Sequence, residues 1–206
     1  MKAKNTILSA ALALLVAGTA NAADAGPASC CVPSAFPATT NFTDNSLYQT
    51  ESKWTTDTGK RIRLGELKGK PQVVAMLFAN CQYACPLIVN DMKRLEAALT
   101  PAQRRNVGFT LVSFDTKRDT SAALAAYRMA HALPAHNWTL LHGEPDDVLE
   151  LAALLGVQFK EDENGQFAHS NVITILNAQG EIVRQQIGLN QDLKETVRIL
   201  WQLAAR

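Results

Sequence analysis

Two cysteines four residues apart stand in Cys81-Gln82-Tyr83-Ala84-Cys85-Pro86, directly after the apolar run Gln72 to Phe78. A step of four is about one helical turn, so on a helix both sulfurs face the same side. Two converging thiolates close a disulfide or grip one soft metal ion. Where a strand ends and a helix begins, the free N–H groups of the helix stabilise a nearby thiolate and lower its pKa. Pro86 fits the first turn, which has no intrahelical N–H bond to lose. The competing reading is a pair of inert buried thiols, because cysteine is among the most buried residue types. Two thiolates leave a metal under-coordinated, and a distant histidine would complete the set.

The chain has four histidines. His131 falls near the end of a predicted helix, His136 in the loop after it, and His142 after a short apolar segment. These three read as surface or loop histidines. His169 stands just before the apolar run Val172 to Leu176, in Phe167-Ala168-His169-Ser170-Asn171. By spacing alone it is either a structural histidine or a ligand.

The elements that must position these residues follow from periodicity. Gln72 to Phe78 is a continuous apolar run of strand length, as in a buried central strand. Ile88, Met92, Leu95 and Leu99 repeat at helical spacing, and Pro101 is expected to end that helix. Val107 to Phe114 reads as a second buried strand. Thr120 or Ser121 caps a helix running to about Leu133. Pro145 suits the first turn of another, with Val148, Leu151, Ala152 and Leu155 inward and Gly156 at its stop. Val172 to Leu176 and Glu181 to Ile187 flank Asn177-Ala178-Gln179-Gly180 as a hairpin. Leu193, Val197, Leu200, Trp201 and Ala204 give a C-terminal amphipathic helix. The order strand, helix, strand, helix, helix, hairpin, helix predicts an α/β domain with a central mixed sheet flanked by helices, in a thioredoxin-like arrangement.

Residues 1–22 read as a cleaved signal peptide. Lys2 and Lys4 precede an uncharged run from Ile7 to Ala17, and Ala20-Asn21-Ala22 is a small-x-small cleavage pattern. The apolar run is shorter than the roughly 20 residues that span a bilayer, and Cys30 lies too far downstream for a lipoprotein. Residues 23–45, with Pro27, Pro33 and Pro37, read as a flexible leader, and 46–206 as one domain. A net charge of +1 over 206 residues gives no reason to expect nucleic acid or an anionic membrane surface as partner. After cleavage no membrane span is expected, and the compartment is an oxidising one, a periplasm. Cys30-Cys31 in the leader is open to three readings: a resolving dithiol for Cys81 and Cys85, a second soft-metal site, or a dispensable tail pair.

The chain resembles the Sco/SenC family of copper chaperones, named for synthesis of cytochrome c oxidase. Four stretches between Ser46 and Leu203 carry the resemblance. They are Leu64-Gly65-Glu66-Leu67-Lys68-Gly69-Lys70-Pro71, the Cys81-x-x-x-Cys85-Pro86 motif, Ser113-Phe114-Asp115-Thr116-Lys117-Arg118-Asp119-Thr120, and His169-Ser170. The resemblance implies a thioredoxin-like fold and copper, as Cu(I) or Cu(II), held by Cys81, Cys85 and His169. Soft thiolates select Cu(I), and imidazole with thiolates also suits Cu(II). Asp115 resembles an acidic position near the metal loop; it is expected either to orient a ligand or dock a partner, or to serve as a turn aspartate. The chain departs from the family in carrying Gln82-Tyr83-Ala84 between the cysteines, Asn177 in the hairpin turn, and Thr116 after Asp115.

Two functions are in competition. A metallochaperone would pass copper to a respiratory oxidase subunit or another periplasmic copper protein by ligand exchange. A dedicated thiol–disulfide oxidoreductase would use Cys81 and Cys85 as a redox pair, served by a thiol reductant, to reduce a partner's metal-ligand cysteines. The three-residue spacer and the absence of proline after Pro145 weigh against a general oxidoreductase. Phe78, where peroxiredoxins place threonine, weighs against a thiol peroxidase.

Overall fold

The structure is a computed structural model and describes residues 42–205. The expected signal peptide and Cys30-Cys31 lie outside the described residues. The fold is already engaged at Phe42, whose ring meets Tyr48 edge-on, and at Thr43, whose hydroxyl donates to Glu181.

A seven-stranded mixed sheet forms the centre. Its strands are β1 (Lys53–Thr56), β2 (Arg61–Arg63), β3 (Gln72–Leu77), β4 (Gly108–Ser113), β5 (Trp138–Gly143), β8 (Val172–Leu176) and β9 (Ile182–Ile187), in the order β2-β1-β5-β4-β3-β8-β9. Every residue of β3, β4 and β8 is buried, which is why their sequences run apolar instead of alternating. β3 pairs parallel with β4, and β4 with β5. β8 pairs antiparallel with β3 and with β9. A separate two-stranded sheet joins β6 (Phe159–Glu161) to β7 (Phe167–His169).

The helices are α1 (Ala84–Ala97), α2 (Pro101–Arg105), α3 (Ser121–Ala130), α4 (Pro145–Leu154) and α5 (Lys194–Ala204). Cys85, Ile88, Val89, Met92 and Leu95 form the buried face of α1. The Thr120 hydroxyl caps α3 by accepting the Ala123 N–H. Pro145 occupies the first turn of α4, and Gly156, at φ +64°, turns the chain out of it. Thr196 of α5 bridges Arg184 and Gln186 of β9, seating the helix on the sheet.

The structure corrects four expectations. Pro101 does not simply end α1, which stops at Ala97; it opens α2, with Thr100 and Gln103 forming a capping box. The segment before His142 is not a mere apolar stretch but β5, which separates α3 from α4. β1 and β2 have no sequence signal, since one apolar residue each, Trp54 and Ile62, is too few to define alternation. Trp201 does not join the inner face of α5; it is half-exposed and donates its Nε1–H to the Ala98 carbonyl.

Candidate metal centre

The centre lies where β3 gives way to α1. After Leu77 the chain turns through Phe78, whose carbonyl accepts the Cys81 N–H at 3.2 Å. Cys81 is partly exposed in this loop, and Cys85 is fully buried in the first turn of α1. Both cysteines are free thiols. The Cys85 N–H donates to the Cys81 sulfur at 3.3 Å. The helix N-terminus therefore serves Cys81, the first cysteine. Cys85 behaves differently from the sequence expectation. Burial pushes its thiol well up, and its neighbour Cys81 adds to the rise, so the helix terminus does not prevail there.

His169 ends β7 and reaches the cysteines from across the fold, with Nε2 3.5 Å from Cys85 Sγ. Its Nδ1 lies 3.1 Å from the Ser170 carbonyl. A carbonyl only accepts, so Nδ1–H donates there, and Nε2 is the ring nitrogen turned toward the sulfurs. The three ligand atoms lie within 4.8 Å of one another, and they are the metal-capable group of the described residues. Two soft sulfurs and one imidazole converging from two elements fit a soft or borderline cation.

Phenylalanines wall this group, a feature the sequence reading missed. The His169 ring lies 5.2 Å from that of Phe114 and meets Phe78 edge-on at 6.4 Å. Phe114 stacks on Phe159 at 4.9 Å, and Phe167 packs against Phe78 and Phe114. The signal was present as phenylalanines at strand ends, but only the folded chain brings them together. The wall limits water access and lowers the local dielectric around the imidazole.

Asp115 touches none of the three ligands. It is buried two residues beyond β4, where it accepts the N–H groups of Lys117 and Arg118 and pairs with the Arg118 guanidinium. Arg118 in turn reaches Glu161 of β6 at 3.3 Å, and Lys117 reaches it at 2.8 Å. Asp115 is thus tied to the hairpin that carries His169. Asp119, also missed, is closer to the cysteines. Buried, it accepts the Ala79 N–H and the Ser113 hydroxyl.

The remaining histidines stand apart from the cysteines. His131 stacks on Tyr127 at 4.1 Å, the His142 Nε2 is 3.0 Å from the Ser121 hydroxyl, and His136 is exposed.

The SCO1/SenC family pattern matches residues 42–203. The chain belongs to the SCO1/SenC family. Within it, the SCO1 protein homolog of Bacillus subtilis is 24% identical over 136 residues, 64% of this chain and 69% of that one. A SCO1/SenC family lipoprotein from Bacillus anthracis has a similar structure at 26% identity and a TM-score of 0.67, covering 74% of this chain and 92% of that chain. ScoI of Bradyrhizobium japonicum, solved with copper bound, superposes at a TM-score of 0.64 and 21% identity, covering 74% and 96%. The fold is therefore the thioredoxin-like one of Sco proteins. Within this SCO1/SenC chain, no helix of the described residues is long and apolar enough to cross a membrane.

Proposed function

We propose that this chain binds copper at Cys81, Cys85 and His169 and delivers it, in the periplasm, to a copper centre of a respiratory oxidase. The observation that carries the reading is the convergence of two thiol sulfurs and an imidazole nitrogen within 4.8 Å of one another. The copper-bound ScoI of Bradyrhizobium japonicum supports copper as the cargo. Thiolates favour Cu(I), and the imidazole lets the same set hold Cu(II). Partial exposure of Cys81 leaves one sulfur open to an incoming ligand, so that transfer proceeds by exchange of donor atoms with no turnover chemistry. The signal-like residues 1–22 support the periplasm as its compartment.

The alternative is a dedicated thiol–disulfide oxidoreductase. Its support is that both thiols are free and four residues apart, with the first one exposed enough to attack a partner disulfide. The test is copper competition affinity of the reduced protein beside His169→Ala and the cysteine-to-serine double variant. One tightly bound copper, weakened at least tenfold by His169→Ala, about 1.4 kcal/mol, supports the metallochaperone. Weak binding indifferent to His169, with rapid cycling of Cys81 and Cys85 against a protein disulfide, replaces it with the oxidoreductase.

A further inference from the structure

Cys30 and Cys31 are soft, chemistry-bearing residues that the proposed copper transfer leaves unused. They precede the described residues, and the place where the described chain begins decides what they can reach. Lys68 Nζ sits 5.9 Å from the centre of the Phe42 ring, and the Thr43 hydroxyl donates to Glu181. Lys68 leads into β3 and Glu181 into β9. β3 and β8 are antiparallel, with Gln72 opposite Leu176, so Phe42 and Thr43 lie at the end of the main sheet away from Cys81 and His169. β3, six residues long, accounts for roughly 20 Å of that separation. Phe42 is eleven residues after Cys31, and a chain of that length spans at most about 36–40 Å. The leader pair therefore has the reach to meet the metal centre of its own chain. The loop it must approach is open: Cys81 is partly exposed, and Tyr83, between the two ligand cysteines, is 82% exposed.

Adjacency in sequence selects the chemistry of this pair. Consecutive Cα atoms across a trans peptide are about 3.8 Å apart, whereas disulfides usually hold theirs about 4.4–6.8 Å apart. A disulfide between Cys30 and Cys31 is therefore strained and easily reduced. A dithiol whose oxidised product is strained is a poor source of electrons for a disulfide of Cys81 and Cys85, which counts against the resolving-dithiol reading. The same strain keeps the pair as thiols, and two adjacent soft donors select Cu(I).

We infer that Cys30 and Cys31 form an entry site that collects Cu(I) and hands it to Cys81 of the same chain. The inference rests on copper being the cargo of the metal centre. The Cys81 sulfur bonds to the ion as one leader sulfur leaves it. Cys85 then displaces the other leader sulfur, and His169 adds the third donor. Each departing sulfur takes up the proton that the incoming cysteine gives up, and the ion stays Cu(I), so nothing is oxidised or reduced. Three donors hold the ion more tightly than two, which sets the direction inward. A short tether places the donor pair at about millimolar effective concentration around its acceptor.

The test is anaerobic Cu(I) uptake by the reduced protein in competition with the chelator bicinchoninate. Wild type is expected to hold two ions, and Cys30→Ser/Cys31→Ser and Cys81→Ser/Cys85→Ser one each. Transfer is followed after one equivalent of Cu(I) as the ion passes beyond the reach of the chelator. A deletion of residues 34–39 keeps both sites but leaves Phe42 only five residues after Cys31, a span of at most about 18 Å, shorter than β3 alone. Loading of the metal centre should slow at least tenfold in the deletion and in Cys30→Ser/Cys31→Ser, with its final affinity unchanged. A single ion in wild type, no ion in Cys81→Ser/Cys85→Ser, or loading of the deletion at the wild-type rate overturns the inference. One ion in Cys81→Ser/Cys85→Ser with none in Cys30→Ser/Cys31→Ser keeps the leader site and overturns the copper reading of the metal centre.

Discussion

Asp119 Oδ2 accepts the backbone N–H of Ala79 at 2.8 Å, joining residues forty apart in sequence. The same oxygen accepts the Ser113 hydroxyl at 2.5 Å. One buried carboxylate thereby fastens the loop that carries Cys81 to the end of β4. Cys81 sits two residues past Ala79, so its position depends on a residue it does not touch.

Asp119→Ala should leave a backbone N–H and a hydroxyl unpaired in the interior. At about 1–3 kcal/mol for each of the two buried unsatisfied groups, we predict a loss of roughly 2–6 kcal/mol in urea unfolding. Copper affinity should fall with it, because the Cys81 loop loses its tether. Unchanged stability and affinity would show that the loop holds itself.

Asp119 also sets a pH dependence. Burial raises its carboxyl above the ordinary aspartate value, against the opposing hydrogen bonds from Ser113 and Ala79. A raised folded pKa means that the folded state holds the proton better than the unfolded one. The stability this contributes is complete below the unfolded value of about 3.9 and is lost as pH rises through the folded value. We therefore predict that wild type loses stability relative to Asp119→Asn as pH rises from about 4 toward neutrality. Parallel denaturation series of the two proteins would check it, and a constant difference would refute it.

Copper uptake should release protons. The buried Cys85 thiol is pushed up and is protonated in the free protein at neutral pH. A metal ligand must be the thiolate. Each proton displaced makes apparent affinity rise about tenfold per pH unit, so Cu(I) affinity should climb between pH 6 and 8. Stopped-flow release measured with a pH indicator, smaller in Cys85→Ser than in wild type, is the matching readout.

Glu161→Gln should separate stability from metal affinity. The pairs of Glu161 with Lys117 and Arg118 are solvent-screened, so their removal should leave unfolding stability close to that of wild type. They nonetheless hold the strand that pairs with His169. Outer partners of metal ligands typically matter by about 10–100-fold in affinity, and for this indirect tie a loss near the low end is expected. Affinity equal to wild type would mean that the hairpin needs no such anchor.

Phe114→Ala should remove the ring that stacks on Phe159 and lies against His169. Large aromatic truncations in cores cost about 3–5 kcal/mol. Thermal melting of the metal-free protein would measure it, and a shift of under about 1 kcal/mol would mean that the wall repacks.

The central strands and the Cys81–Cys85 turn were legible because buried strands are written as unbroken apolar runs. The pair of turn signals at Asn177 and Gly180 likewise gave the closing hairpin, with Gly180 at φ +85°. β6 and β7 were not legible. Their residues Phe159, Lys160 and Glu161 pair with Phe167, Ala168 and His169 over three positions only, too few for periodicity. The link from Asp115 through Arg118 to Glu161 joins the β4 end to that hairpin, and no local pattern encodes such a chain. His169 alone gave no reason to prefer ligand over structural residue until the resemblance supplied it, and the geometry then placed its nitrogen beside Cys85.

The three donor atoms are unequally mounted. Cys81 and Cys85 belong to the joint between the central strand and its helix, whereas His169 sits on a two-stranded hairpin outside the main sheet. A hairpin of that size has little independent stability in water, so it should open locally far more often than the joint does. An ion bridging the two works as a clasp. Loading should slow amide hydrogen exchange across residues 159–169 and leave the exchange of β3 unchanged. Under the proposed function, release of the ion and loosening of the hairpin would be a single event, and a recipient that captured the hairpin in its open state would draw the ion away from its histidine first.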